Sequence, residues 1–248
     1  MSKDLHRRPM PLSLSKLAAG AVLAVNKPLG WTSFDVVKKL RALWQVKKIG
    51  HAGTLDPLAT GLLILCTGKQ TKAISQYQDL EKVYKGELVL GKTTPSVDLE
   101  TDFNSEAPYG HVTAAALHQL AQTFIGYIQQ VPPAYSAVKT KGVRAYAQAR
   151  QGQATALEPK QVWIKDFTLT AVQIPKVSFE VTCSKGTYIR SLVRDFGEQL
   201  GTGAYLASLC RTRIGPYTLE DAYEIADLEC GLMLNKKALG SLDETLLS

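Results

Sequence analysis

Apolar and polar positions along this chain recur with two different periods, and the switches between them mark out the elements. The apolar run from Gly20 to Val25, ending at a Lys27-Pro28-Leu29-Gly30 turn, predicts a first strand. Val36, Val37, Leu40 and Leu43 then recur at helical spacing behind Thr32 and Ser33, either of which can cap a helix. A helix is therefore predicted from Phe34 to about Gln45, with Asp35 in its first turn, where the helix dipole favours an anion. Leu62 to Cys66 is unbroken apolar sequence and predicts a buried strand. A short helix from Lys72 to about Leu80 leads to a strand over Lys82–Leu90. There Tyr84, Gly86, Leu88 and Leu90 share one face.

Thr93 to Asp102 is polar and predicts a loop. Thr113 to Phe124 sets Leu117, Leu120, Ala121 and Phe124 on one helical stripe. Val162–Leu169 and Lys176–Cys183 predict two strands of a hairpin. Tyr188 to Leu200 predicts a helix with Ile189, Leu192, Val193 and Phe196 inward and Arg190 and Arg194 on its other side. Leu206–Ile214 predicts a last strand, and residues 219–229 a capped helix. Strands interspersed with helices in no strict alternation imply an α+β fold on a mixed, largely antiparallel sheet. Residues 1–19 read as a flexible tail and 20–248 as one domain, with no internal repeat.

Composition changes this picture in one respect. Lysine and arginine outnumber acids 29 to 22, a net charge of +7. Such an excess serves solubility or a polyanionic partner, since cation–phosphate contacts carry most sequence-independent nucleic-acid affinity. Lys38, Lys39, Arg41, Lys47 and Lys48 crowd around the first predicted helix, as a solvated face or the start of an RNA-facing surface. No apolar run approaches the roughly 20 residues of a membrane helix. The four cysteines (Cys66, Cys183, Cys210, Cys230) lack C-x-x-C spacing and read as free thiols of a reducing cytoplasm, and the scattered histidines show no zinc pattern.

The densest chemistry lies between His51 and Leu65, H-A-G-T-L-D-P-L-A-T-G-L-L-I-L. Pro57 biases Asp56 away from the helical region, so its carboxylate sits in a loop just before a strand. Taken alone, a D-P dipeptide is a turn. Gly68-Lys69-Gln70-Thr71 is not a phosphate loop: the spacing from Gly61 is too long, and glutamine follows the lysine. From Val131 to Gly152, Tyr135, Lys139, Lys141, Arg144, Tyr146 and Arg150 interleave aromatics with cations. That suits a surface holding folded RNA, and equally a short amphipathic helix beside a loop.

The string G-T-L-D-P-x-A-x-G-L-L resembles the active-site loop of the TruB family of transfer-RNA pseudouridine synthases. V-N-K-P-L-G-W-T-S-F-D-V-V (from Val25), V-P-P-A-Y-S-A-V-K (from Val131) and S-K-G-T-Y-I-R-S-L-V-R-D-F-G (from Ser184) resemble further family motifs, in family order. The resemblance implies the pseudouridine-synthase fold, with a thumb at about 131–152 that closes on RNA. It makes Asp56 the catalytic carboxylate, Arg190 its cationic partner and Tyr84 the ring that stacks on the extruded uracil. Tyr188 handles the proton on the uracil carbon. His51 fills the gap left by the flipped base, and Lys27, Asp98, Tyr135, Lys139, Arg144 and Arg150 join the RNA-binding set.

Further expectations follow from the resemblance: isomerisation of uridine 55 in the tRNA T-arm, with no cofactor or metal, no obligate protein partner, no membrane, and a cytoplasmic location. The residues after the last predicted helix are too few for the RNA-binding barrel, a PUA domain, that bacterial relatives usually carry. The alternatives are a guide-RNA-dependent synthase subunit or a non-catalytic tRNA-folding chaperone.

Overall fold

A computed structural model of the chain describes residues 13–136, 139–140, 143–144 and 157–229. Two compact units divide the chain after Asp79 and again before Arg213.

In the first unit, strands β1 (Val22–Lys27), β2 (Ile49–His51) and β3 (Ala59–Thr67) form an antiparallel set around β3. Val22 pairs with Cys66 and Lys27 with Gly61, while His51 on the short β2 pairs with Leu65. Helix α1 (Leu14–Ala19) precedes the strands and α2 (Ser33–Trp44) joins β1 to β2. A 3-10 turn (Gly68–Ala73) and α3 (Ile74–Gln78) follow β3. The apolar stripe of α2 (Val36, Val37, Leu40, Trp44) packs with Leu17 of α1, Leu23 and Val25 of β1, and Leu63 and Leu65 of β3. Each such side chain, fully buried, contributes about 1.5–3 kcal/mol. The N-terminus of α2 is fixed by a capping box: the Thr32 hydroxyl accepts from Asp35 N–H, and the Asp35 carboxylate accepts from Thr32 N–H. The Thr32 hydroxyl and backbone hold the Asp35 carboxyl below its ordinary pKa.

Two expectations change here. Residues 14–19, predicted within a flexible tail, form a helix because Ser13 caps it and Leu17 is buried in the core. The helix predicted over 219–229 is broken: Leu219–Asp221 is a 3-10 turn, Ala222 is extended, and helical residues resume at 225–229. Tyr223 lies against β1, donating to Ala24 and accepting from Asn26, so its backbone groups are not free for a helix. Gly68 carries φ +48, and a Cβ there would sit 2.4 Å from the Ala18 carbonyl oxygen, so only glycine fits.

In the second unit the strand order is β12 (Ala204–Ile214), β4 (Lys82–Leu90), β11 (Lys176–Cys183), β10 (Lys160–Gln173), β7 (Gly126–Gln130). β4 with β11, β11 with β10 and β10 with β7 all pair antiparallel. Tyr84 opposes Val181, and Gln130 opposes Lys160 at the end of β7. Helices α4 (Ala114–Thr123) and α5 (Ile189–Gln199) lie in the same unit. Its core holds four phenylalanines, Phe124, Phe167, Phe179 and Phe196, with ring centroids 5.7–6.2 Å apart. Those spacings suit edge-to-face packing. A pair of two-residue strands, β5 (Lys92–Thr93) and β6 (Ser105–Glu106), brackets the polar loop. A second such pair, β8 (Lys139–Thr140) and β9 (Val143–Arg144), lies in the expected thumb. At the end of β12, Arg213 and Ile214 pair with β13 (Tyr217–Thr218).

Strand β7 was not predicted. Its outer residue Tyr127 is exposed and it forms an end of the sheet, so it never needed the apolar alternation that betrays a half-buried strand. β10 runs past the predicted Leu169 to Gln173, with register shifts between Ile164 and Asp166 and between Leu169 and Ala171. Each shift interrupts the period-two pattern that a sequence reader follows.

Candidate active site

The Asp56 loop is held at four points by its own unit. Ala52 N–H donates to the Ile64 carbonyl (2.8 Å), and Leu55 N–H donates to the Ser33 hydroxyl (2.9 Å) at the first turn of α2. Gly30 N–H donates to the Pro57 carbonyl (2.9 Å), and Ala59 N–H closes back on the Asp56 carbonyl (3.1 Å). Asp56 is thus fastened on both sides in sequence while its side chain stays half-buried. Such fastening fixes where a carboxylate points, as site chemistry requires.

Lys27 is 0% exposed. Its ammonium donates to the carbonyls of Pro28 (2.9 Å), Trp31 (2.6 Å) and Pro57 (3.3 Å). A buried ammonium demands such partners, and these tie the turn after β1 to the residue following Asp56. His51 is half-buried on β2.

The second unit brings together Asp98, Tyr135 and Arg190. Arg190 was expected on the polar side of its helix; instead it is 3% exposed. Its Nη1 donates to the Ser96 carbonyl (3.0 Å), its Nη2 to the Tyr135 carbonyl (2.8 Å), and its Nε stands 3.7 Å from Asp98 Oδ2. The planar fork of a guanidinium holds its donors in fixed directions, here toward two carbonyls and a carboxylate. Helical periodicity missed this burial because it scores arginine as polar whatever its partners.

The polar loop 94–98 forms the other wall. Thr94, Ser96 and Asp98 are all nearly inaccessible, and the hydroxyls of Thr94 and Ser96 both donate to the Asp98 carbonyl (2.6 and 3.1 Å). Between them Val97 has φ +64, a left-handed conformation costly for a β-branched residue. That strained residue lies between the Ser96 carbonyl and the Asp98 carboxylate that face Arg190. Nothing in the sequence marked Ser96 or Val97.

Residues 130–135 form a strap along the first turns of α5. Gln130 Oε1 accepts from Tyr188 N–H (2.7 Å), and the Val131 carbonyl accepts from the Ser191 hydroxyl (2.8 Å) and Arg194 Nη2 (3.1 Å). Arg194 also pairs with Asp195 (2.7 Å). Burial pushes the Asp195 carboxyl above its ordinary value, and Arg194 opposes that shift. Tyr188, half-buried, is the residue from which α5 starts, and Tyr84 is buried on β4. Gln130 and Ser191 escaped the sequence reading, although the V-P-P-A-Y motif beside Gln130 was a usable signal.

Lys139 and Arg144 oppose each other across β8 and β9. Arg150, Lys141 and Tyr146 lie outside the described residues. Cys66 and Cys183 are buried free thiols and Cys210 is half-buried, while Cys230 also lies outside the described residues. Among the described residues no group of three or more His, Cys, Asp or Glu side chains is placed to hold a metal ion, and no helix is long and apolar enough to cross a membrane.

Comparison with known proteins adds an independent line. A family model described as TruB family pseudouridylate synthase (N terminal domain) matches residues 41–189, and one described as tRNA pseudouridylate synthase B C-terminal domain matches 190–248. The chain is 46% identical to a tRNA pseudouridine synthase B of Flavobacterium johnsoniae, over 85% of this chain and 95% of that protein. It is 49% identical to one of Bacteroides fragilis, over 84% and 91%. Among solved structures, a Cbf5-Nop10-Gar1 complex includes a chain similar at TM-score 0.68 and 27% identity, over 87% of this chain and 55% of that one. An H/ACA RNP bound to a substrate RNA containing 2′-deoxyuridine gives 0.63 and 26%, over 85% and 52%. The chain therefore spans about half the length of those two structural neighbours.

Proposed function

Because the chain belongs to the TruB family of pseudouridylate synthases, we propose that it isomerises uridine 55 in the T-arm of tRNAs to pseudouridine. The observation that carries this is the identity of 46–49% to tRNA pseudouridine synthases B, which spans nine-tenths or more of those proteins. The guide-dependent alternative is less well supported, since the structural neighbours in RNP complexes are more distant relatives, at 26–27% identity. A cytoplasmic setting, with tRNA as the partner, belongs to the same proposal.

In the reaction the bond from uracil N1 to ribose C1′ breaks, the base turns, and a bond from C5 to C1′ forms. The proton lost from C5 is balanced by one gained at N1, so no oxidant or co-substrate enters. Asp56 supplies the carboxylate that a covalent or charge-stabilised intermediate needs. Arg190 is the arginine that the family resemblance assigns to this chemistry, a cation of the kind that keeps a carboxylate ionised away from water. Tyr84 stacks on the flipped base, and Tyr188 serves the C5 proton. The uridine must leave its folded arm first, and His51 takes the vacated space. The cations Lys139, Arg144 and Arg150 hold T-arm phosphates, while Lys27 braces the Asp56 loop by its three carbonyl contacts.

The experiment is incubation of the purified protein with unmodified tRNA, followed by mapping of pseudouridine at nucleotide resolution. Pseudouridine at position 55 without added guide RNA is expected. Asp56→Asn should abolish turnover and leave tRNA binding within a few-fold, since phosphate contacts dominate affinity. Modification of a different uridine, a requirement for guide RNA, or activity in Asp56→Asn would overturn the assignment.

A further inference from the structure

We propose that Gln130 is a positioning residue for this reaction, its side-chain oxygen fixing the main chain of Tyr188 at the amino end of α5. The inference rests on the assignment of Tyr188 and Arg190 to the active site, and goes beyond it by naming what holds them there.

Helix α5 starts without a side-chain cap of its own: Tyr188 stands at the N-cap position and makes no capping hydrogen bond. Serine, threonine, aspartate or asparagine would ordinarily occupy that position. Here the entry to the helix is secured from a distant strand, since Gln130 Oε1 accepts from Tyr188 N–H at 2.7 Å across 58 residues of sequence. A backbone N–H can only donate, so the oxygen of the amide must face Tyr188 and its nitrogen must face away. The backbone at Tyr188 sets the direction of its ring, and Arg190 follows two residues later on the same turn. Gln130 is itself anchored, because it opposes Lys160 at the end of β7.

The second observation is what this arrangement leaves undone. Gln130 is 1% exposed, and its Nε2 has no hydrogen-bond partner among the described residues. A buried donor left unmade costs stability. Methionine or leucine would fill the same space without that cost, so packing alone does not account for the amide. The oxygen is the part the site uses, and the idle nitrogen accompanies it. At the far end of the strap the buried Ser136 hydroxyl is likewise without a partner among the described residues. The strap between them, through the carbonyls of Val131 and Tyr135, receives Ser191, Arg194 and Arg190. Gln130 is thus where the sheet, the strap and the amino end of α5 are joined.

The test compares Gln130→Met, which keeps length and deletes the acceptor, with Gln130→Glu, which keeps an acceptor of the same reach. Both are assayed in the full chain on unmodified tRNA, below their melting temperatures. Gln130→Met should lower kcat by about 10- to 100-fold, the scale of a misplaced catalytic group. KM should stay within about twofold, since binding is untouched, and Gln130→Glu should recover most of kcat. If Gln130→Met does not fold, Gln130→Asn, one methylene shorter, should show the same fall in kcat at constant KM. Unchanged kcat in the acceptor-deleted variant, a loss confined to KM, or equal loss in Gln130→Glu would overturn the inference. Tyr188→Ala is run alongside. Full activity there would overturn the site assignment itself, whereas an inactive Tyr188→Ala beside a fully active Gln130→Met would overturn the role of Gln130 alone.

Discussion

Replacing Arg190 by methionine should destabilise the protein through a group that is not replaced, the carboxylate of Asp98. The two side chains are 4% and 5% exposed with Nε and Oδ2 3.7 Å apart, so solvent scarcely screens them. At an effective dielectric constant of about 20, two unit charges at that distance attract by about 4.5 kcal/mol before desolvation is subtracted. Removing the arginine strands a buried carboxylate and leaves the Ser96 and Tyr135 carbonyls without their donor. The expected loss is about 3–5 kcal/mol. For a chain of this length that lowers the melting temperature by roughly 6–20 °C.

Asp98→Asn should fall at the lower end of that range, about 3 kcal/mol. Arg190 keeps both carbonyls, and the asparagine oxygen can still accept from Glu100 N–H as Asp98 Oδ1 does. The double variant leaves no stranded charge. It should therefore be more stable than the two single losses added together would allow, by about 2–3 kcal/mol. Urea denaturation of the four proteins measures that coupling. A loss below about 1 kcal/mol in Arg190→Met, or additivity within about 0.5 kcal/mol, would refute the view that a buried ion pair holds this site together.

Three further outcomes are expected. Tyr84→Phe should retain most of kcat/KM, whereas Tyr84→Ala should lose about one to two orders of magnitude, the worth of base stacking at about 1–3 kcal/mol; equal damage from both, in the same tRNA assay, would point to the hydroxyl instead. Thr32→Ala removes the oxygen that caps α2 and should cost about 1 kcal/mol in urea denaturation; an unchanged midpoint would show the capping box to be idle. Burial pushes the Cys183 thiol from 9.0 up to about 12, so its neutral form is favoured in the folded protein. That stability is complete below the unfolded value and is lost as pH rises from about 9 toward 12, at up to about 1.4 kcal/mol per pH unit. Cys183→Val should flatten the alkaline fall in stability by that amount, and an unchanged slope would contradict the burial argument.

The sequence by itself determined what depends on local chemistry. The α2 helix begins at Thr32 because the cap, the acid three residues on and the apolar stripe are all read within a single turn or two. β11 keeps its predicted bounds because one face is buried and alternation survives end to end, and β4 keeps its own although its first three residues are all buried. The Asp56 loop was legible because its glycines, proline and carboxylate are contiguous. Tertiary structure alone decided whatever depends on partners distant in the chain. Arg190 reads as a surface cation until Ser96, Asp98 and Tyr135, 94, 92 and 55 residues away, converge on it. Lys27 looks like a turn residue until Pro57 is folded against it. Residues 222–224 look helical until β1 takes the backbone groups of Tyr223. For Arg190 and Lys27 a polar group that sequence assigns to solvent is buried because the fold supplies its hydrogen-bond partners, and no periodicity carries that information.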